Sequence, residues 1–205
     1  YMTPFDGLTT FWAIANFSKS IFAGAERVFA TLANAASGAS LYSTTSLDCA
    51  GCGANHLQMI NEDDVIIVNV NAQSSDEEFF AFSISEGRRL WTVGGTAGDF
   101  VLIDEFGVAF PKNYTFGGLQ HNVEYFGVND NGLHEFMGFA NNLTTLAGHD
   151  FAVNFRDSSA MIVYELNFDE MTCRIAWHYQ VPYSKVYGDN DRLPTGNLLG
   201  VHRTT

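Results

Sequence analysis

The sequence is poor in basic residues, in cysteine and in proline. It carries 10 Lys and Arg against 23 Asp and Glu, a net charge of −13, and has 3 Cys and 4 Pro in 205 residues. A strongly negative net charge repels the phosphates of nucleic acid and the headgroups of an anionic membrane surface. We therefore expect no nucleic acid partner.

Long hydrophobic runs are also missing. No uncharged apolar stretch reaches the roughly 18 to 20 residues that cross a bilayer. Lys19, Glu26 and Arg27 interrupt the most apolar part of the N-terminal region. We expect no membrane span, and because both ends look cut we expect a fragment of a longer protein.

The three cysteines give no metal-binding pattern. Cys49 and Cys52 form one CxxC without a second pair or nearby histidines, and Cys173 stands alone. A zinc site requires about four such ligands. We expect no metal, and a local disulfide or plain loop cysteines instead, with the pairing left open.

Three N-x-S/T triplets point to a secretory route. They lie at Asn16, Asn113 and Asn142. Such triplets are glycosylation acceptors in secreted proteins. We therefore expect an extracellular or secretory-lumen glycoprotein, with both Asn113 and Asn142 exposed.

The N-terminal region has apolar residues at helical spacing. Ile14, Ile21, Val28 and Leu32 recur after possible capping threonines, and this pattern predicts one amphipathic helix over 11–36. A polar linker to residue 46 would follow. The expected domains are residues 1–46, helix and linker, and residues 47–205.

Beyond residue 55 the pattern changes to short apolar runs between turn residues, which predicts an all-β domain. The same degenerate phrase recurs three times. One copy runs from Asn55 to Trp91, a second from Gln120 to Trp177, and a third from Asp189 to Leu199. Units of this size, with a polar residue at the start and a Trp near the end, are typical of four-stranded β-propeller blades.

The chain would supply about two and a half to three blades of such a propeller. So few blades cannot close a ring, and an open sheet edge invites pairing. We therefore expect other propeller segments or protein subunits as partners.

Two phrases resemble the arylsulfotransferase family of six-bladed propellers. They are Gln120-His121-Asn122 and the Arg-Leu-Pro-Thr-Gly-Asn of residues 192–197. The resemblance implies transfer of a sulfuryl group from an aryl sulfate to a phenolic acceptor, without a nucleotide cofactor, through a histidine nucleophile. It departs from the family at Ser159-Ala160, where relatives tend to have Ser-Arg.

Carried onto this sequence, the resemblance implies His121 as the catalytic nucleophile. His56, which opens the preceding copy, Asn122 and Arg192 are the candidate substrate-binding residues. Hydrogen-bond donors of this kind stabilise the charge on sulfuryl oxygens. Structural interpretations stay open: a hydrogen-bonded channel histidine at 121, and a surface ion pair of Arg192 with Asp189 or Asp191. The alternative function is a non-catalytic extracellular propeller that binds a partner or serves assembly.

Overall fold

The computed structural model describes residues 3–5, 10–17, 27–34, 40–43, 53–60, 64–71, 78–111, 118–142, 158–184 and 188–202. Side chains are described for residues 56–60, 64–69, 78–111, 121–141, 158–184 and 188–202. Every regular element in these ranges is a β-strand, which confirms the all-β prediction. Within the same ranges, no helix is long and apolar enough to cross a membrane.

The strands follow one another in four groups along the chain. They are β1 Thr3–Phe5, β2 Thr10–Phe17, β3 Arg27–Asn34, β4 Ser40–Ser43, β5 Gly53–Ile60, β6 Val65–Asn71, β7 Glu78–Ser83, β8 Arg88–Gly94, β9 Val101–Ile103, β10 Gly118–Val128, β11 His134–Asn142, β12 Ser158–Asn167, β13 Thr172–Pro182, β14 Gly188–Arg192 and β15 Leu198–His202. Each group forms its own sheet.

The sheets are antiparallel meanders in chain order. Two have four strands, β1-β2-β3-β4 and β5-β6-β7-β8, and the described part of the last sheet is the pair β14-β15. The third sheet, β10-β11-β12-β13, gains β9 as a parallel fifth strand beside Thr172–Arg174. The three runs predicted to open repeated units each form the first strand of a sheet: β5, β10 and β14.

The predicted helix over 11–36 was wrong. Residues 10–17 and 27–34 pair antiparallel as β2 and β3, and together with β1 and β4 they form a sheet where a helix and linker were expected. The run Phe11-Trp12-Ala13-Ile14 and the run Arg27-Val28-Phe29 hold the aromatic and β-branched residues that favour strands. Between these two runs the sequence has Ser18-Lys19-Ser20 and Gly24, residue types that are more common in turns than in helices.

The main hydrophobic core lies between the second and third sheets. Phe79 of β7 packs on Phe136 and Tyr164, with ring centroids 5.4 Å and 5.8 Å away. Trp91 meets Phe136 edge-on at 5.7 Å. These sheets therefore pack face to face, and aromatic rings supply much of the contact area.

The two central strands of the second sheet, β6 and β7, are buried on both faces. Ile66 and Ile67 alternate across β6, and both are 0% exposed. All six residues of β7 are buried as well. Continuous apolar runs such as Val-Ile-Ile-Val and Phe-Phe-Ala-Phe are typical of strands without a solvent face.

The opposite face of the third sheet carries β14 and β15. At Gly188 and Gly200 an added Cβ would lie well inside contact distance of the Phe139 ring and the Met161 sulfur, respectively. Phe139 is 0% exposed and its ring stacks on His202. The two glycines thus allow the β14-β15 hairpin to approach this face closely.

Candidate functional site

The first strands of three sheets meet at one polar junction. Gln58 of β5 holds the backbone of Tyr125 on β10, donating to its carbonyl at 3.1 Å and accepting from its N–H at 2.5 Å. On the other side, the Asn122 amide donates to the carbonyl of Asn190 on β14 at 3.2 Å. We call this place, where β5, β10 and β14 converge, the first-strand junction.

A bulge in β10 sets which side chains face β14. His121 pairs with Phe139 and Glu124 pairs with Met137, and the register shifts between these two pairs. Phe139 and Met137 are two residues apart on β11 and share a face, so His121 and Glu124 share it too. Asn122, in the bulge, has a φ of 50°, a value that asparagine tolerates better than most residues.

One face of β14 is turned toward His121 and Glu124. Gly188 approaches Phe139, and Arg192 reaches Glu135, so Asn190 between them faces the same surface. Asn190 is 1% exposed, and neither atom of its side-chain amide has a hydrogen-bond partner in the described part of the chain. A buried amide without partners is costly, and it is available to a polar ligand or to water.

His56 and Glu124 form the most buried ionisable pair of the junction. Their Nε2 and Oε1 atoms are 3.6 Å apart, with side-chain exposures of 2% and 16%. Burial lowers the pKa of His56 from 6.5 to about 4. Burial, then the charges of Asp191 and Asp189, raise the pKa of Glu124 from 4.5 to about 7, against the opposing effect of a hydrogen bond with Asn122. The imidazole is therefore neutral at pH 7, and the carboxyl group exchanges a proton near that pH.

His121 is half-buried on the same strand. Burial lowers the pKa of its imidazole below 6.5. The ring is therefore neutral at pH 7, which is the state in which an imidazole nitrogen carries a free electron pair.

Arg192 lies at the far end of β14, toward the β10-β11 turn. Its guanidinium donates to Glu135 Oε2 at 2.8 Å and lies 5.6 Å from the Phe126 ring centroid. The ion pair foreseen with Asp189 or Asp191 is thus made with Glu135 instead. The side chain is 43% exposed, so this contact stabilises the fold little.

Several predicted features fall on parts of the chain that the structure does not describe. Asn113, Cys49 and Cys52 lie outside the described residues, and the side chains of Asn16 and Asn142 do so as well. Cys173 is a buried free thiol. Among the described residues, no group of three or more His, Cys, Asp or Glu side chains could hold a metal ion.

Among the residues of the junction that sequence reasoning did not select are Glu124 and Asn190. Glu124 stands three residues after His121, a spacing that in a regular strand places side chains on opposite faces. Only the positive φ of Asn122, which the sequence does not reveal, brings them to one face. Asn190 lies in the run that opens the third repeated phrase, and no pattern in the sequence distinguishes its side chain from those of its neighbours.

Comparison with known proteins does not assign the chain to a family. A scan against protein-family models found no match, and a search of curated proteins found none either.

Proposed function

We propose that the chain is part of a β-propeller of the arylsulfotransferase type, in which His121 carries a sulfuryl group between phenols. The successive antiparallel meanders, of which the first strands β5, β10 and β14 are adjacent, support the propeller arrangement. The phrase Gln120-His121-Asn122 supports the chemistry by resemblance. Both donor and acceptor would enter at the first-strand junction.

The observation that carries this proposal is the position of His121 on the face of β10 that is turned toward the buried Asn190 amide of β14. A neutral, half-buried imidazole on the face turned toward β14 has a nitrogen that can attack sulfur. The bond from sulfur to the aryl oxygen breaks as the bond to nitrogen forms, and a second phenol later takes the sulfuryl group from the imidazole. The Asn190 amide would donate to a sulfuryl oxygen, which resolves its missing hydrogen bond.

Replacement of His121 by Ala tests the nucleophile. We expect His121→Ala to abolish 4-nitrophenyl sulfate turnover with phenol as acceptor, because no covalent intermediate can form. His178→Ala is the matched control, since His178 lies on β13 and pairs with Glu105 through Nδ1 at 2.8 Å. Turnover by His121→Ala equal to that of wild type would refute the nucleophile assignment.

A second candidate is a non-catalytic propeller module for binding or assembly. The charge of the junction favours it: Glu124, Asp189 and Asp191 repel an anionic substrate, and Arg192 is engaged by Glu135. An intact wild-type protein that shows no turnover with a panel of aryl sulfates would support this candidate over the enzyme.

A further inference from the structure

We propose that Glu124 is the general acid and base of the sulfuryl transfer, giving a proton to the departing phenolate and taking one from the acceptor phenol. This assignment rests on the proposed function and adds a second catalytic residue to it. Sulfuryl transfer between phenols needs such a group, because phenolate is a poor leaving group and neutral phenol is a weak nucleophile.

The geometry of β10 places Glu124 for this role. Glu124 is paired with Met137, and His121 is paired with Phe139. Met137 and Phe139 are two residues apart on β11, so the carboxyl group and the imidazole lie on the same face of the sheet. That separation is about 6 to 7 Å along the strand. A sulfur atom bound at His121 would thus have its aryl oxygen on a side that the Glu124 carboxyl group can reach.

The surroundings of Glu124 favour proton exchange. In the described part of the chain the ionisable groups that act on it are His56 from β5 and Asp189 and Asp191 from β14, and His121 shares its face of β10. Burial and the two aspartates raise its pKa to about 7. The Nε2 atom of His56 lies 3.6 Å from Glu124 Oε1, so the neutral imidazole is a close neighbour of the carboxyl group.

The proposed steps balance in atoms and charge. A neutral His121 nitrogen attacks sulfur, the bond to the aryl oxygen breaks, and the protonated Glu124 supplies the proton that converts the leaving phenolate to phenol. Glu124, now a carboxylate, then removes the proton of the acceptor phenol as its oxygen attacks sulfur. The bond from sulfur to nitrogen breaks, which restores the neutral imidazole and the protonated carboxyl group.

The test compares leaving groups of different acidity in wild type and Glu124→Gln, in single turnovers without acceptor, so that only the transfer of the sulfuryl group to His121 is measured. General acid catalysis matters most for a weakly acidic phenol, so we expect Glu124→Gln to lose about 100-fold or more of the phenyl sulfate rate. The 4-nitrophenyl sulfate rate should fall far less, because its phenolate leaves without protonation. The wild-type phenyl sulfate rate should decline as pH rises through about 7, and the variant should lack this decline.

Glu105→Gln is the matched control, because Glu105 pairs with His178 beside β13. It should keep the wild-type rates and pH profile. If Glu124→Gln does not fold, Glu124→Asp replaces it in the test. We expect this variant to lose more of the phenyl sulfate rate than of the 4-nitrophenyl sulfate rate. Equal losses for both substrates, or an unchanged pH profile, would overturn the role of Glu124 alone. A wild type without turnover would overturn the sulfotransfer function and this role with it.

Discussion

The two ionisable residues of the first-strand junction respond to burial in opposite senses. Burial disfavours the charged form, so the pKa of a base falls and that of an acid rises. The pKa of His56 moves from 6.5 to about 4 and that of Glu124 from 4.5 to about 7, so between these two values both groups are mostly neutral inside the fold. Their contributions to stability therefore have opposite dependences on pH.

The signs follow from proton binding. Between pH 4 and 6.5 the unfolded chain protonates His56 more readily than the folded chain does, so this residue makes the free energy of unfolding rise with pH. Between pH 4.5 and 7 the folded chain holds the Glu124 proton more tightly, so Glu124 makes the free energy of unfolding fall with pH. The two slopes oppose each other where the windows overlap.

We therefore expect single substitutions to separate the two slopes. Relative to wild type, the unfolding free energy of Glu124→Gln should rise more steeply from pH 4 to 6.5, and that of His56→Gln should fall more steeply from pH 4.5 to 7. Urea titrations at several pH values measure this. Parallel curves for the three proteins would show that neither group is shifted by folding.

At the residue scale the sequence indicates candidate side chains but not their neighbours in the fold. His56, His121 and Asn122 could be selected because they are polar residues at the start of apolar strand patterns. The pairing of His56 with Glu124, and of Arg192 with Glu135, depends on which strands become neighbours. That neighbourhood is a property of sheet stacking, which no local pattern contains.

At the scale of elements, the β14-β15 hairpin packs closely on the third sheet through two glycines, Gly188 and Gly200. Adding a methyl group should destabilise the fold more at Gly188 than at Gly200. The Phe139 ring that faces Gly188 is rigid and 0% exposed, whereas the Met161 thioether that faces Gly200 is a flexible chain end. A rigid ring cannot yield to a new methyl group as a thioether can.

We expect Gly188→Ala to lower the free energy of unfolding by about 1 to 3 kcal/mol, the usual cost of overpacking. Gly200→Ala is the matched control and should lose less, because Met161 can adopt another rotamer. Thermal unfolding of the two variants gives the comparison. A greater loss for Gly200→Ala would contradict this account of the contact.

The sequence predicted strands well where apolar runs were short and bounded by turns. It failed over residues 11–36, where small apolar residues fit a helical and a strand period at once. Pairing of β2 with β3 decided between them, and pairing is a non-local interaction. The parallel pairing of β9 with β13 could not be predicted from the sequence, because it too is a non-local interaction.

At the scale of the molecule, the aromatic layer between the second and third sheets joins residues far apart in the sequence. Trp91 contacts Phe100 and Phe168 at 5.9 Å and 5.6 Å in addition to Phe136. Because both sheets contribute to this layer, neither can bury its apolar face alone. We expect them to unfold in one cooperative transition.

Phe136→Ala tests this layer. Phe136 is 1% exposed, so its truncation should lower the free energy of unfolding by about 3 to 5 kcal/mol. Phe106→Ala is the control, because Phe106 is 75% exposed and its loss should change stability by about 0.5 kcal/mol or less. Urea unfolding followed by tryptophan fluorescence and by far-ultraviolet circular dichroism should give coincident curves. Separate transitions would show that the two sheets are independent.

The extra residue in β10 determines whether an odd or an even number of positions along the chain brings two side chains to the same face of the strand. His121 and Glu124 are an odd number of positions apart, yet they share a face because the bulge at Asn122 absorbs one position. Removing a single residue between them would therefore keep both functional groups while straightening the strand. An even spacing in a regular strand would preserve the shared face, whereas an odd spacing requires the bulge. In this protein the distance along the chain between the two groups is thus as much a part of the site as their chemistry.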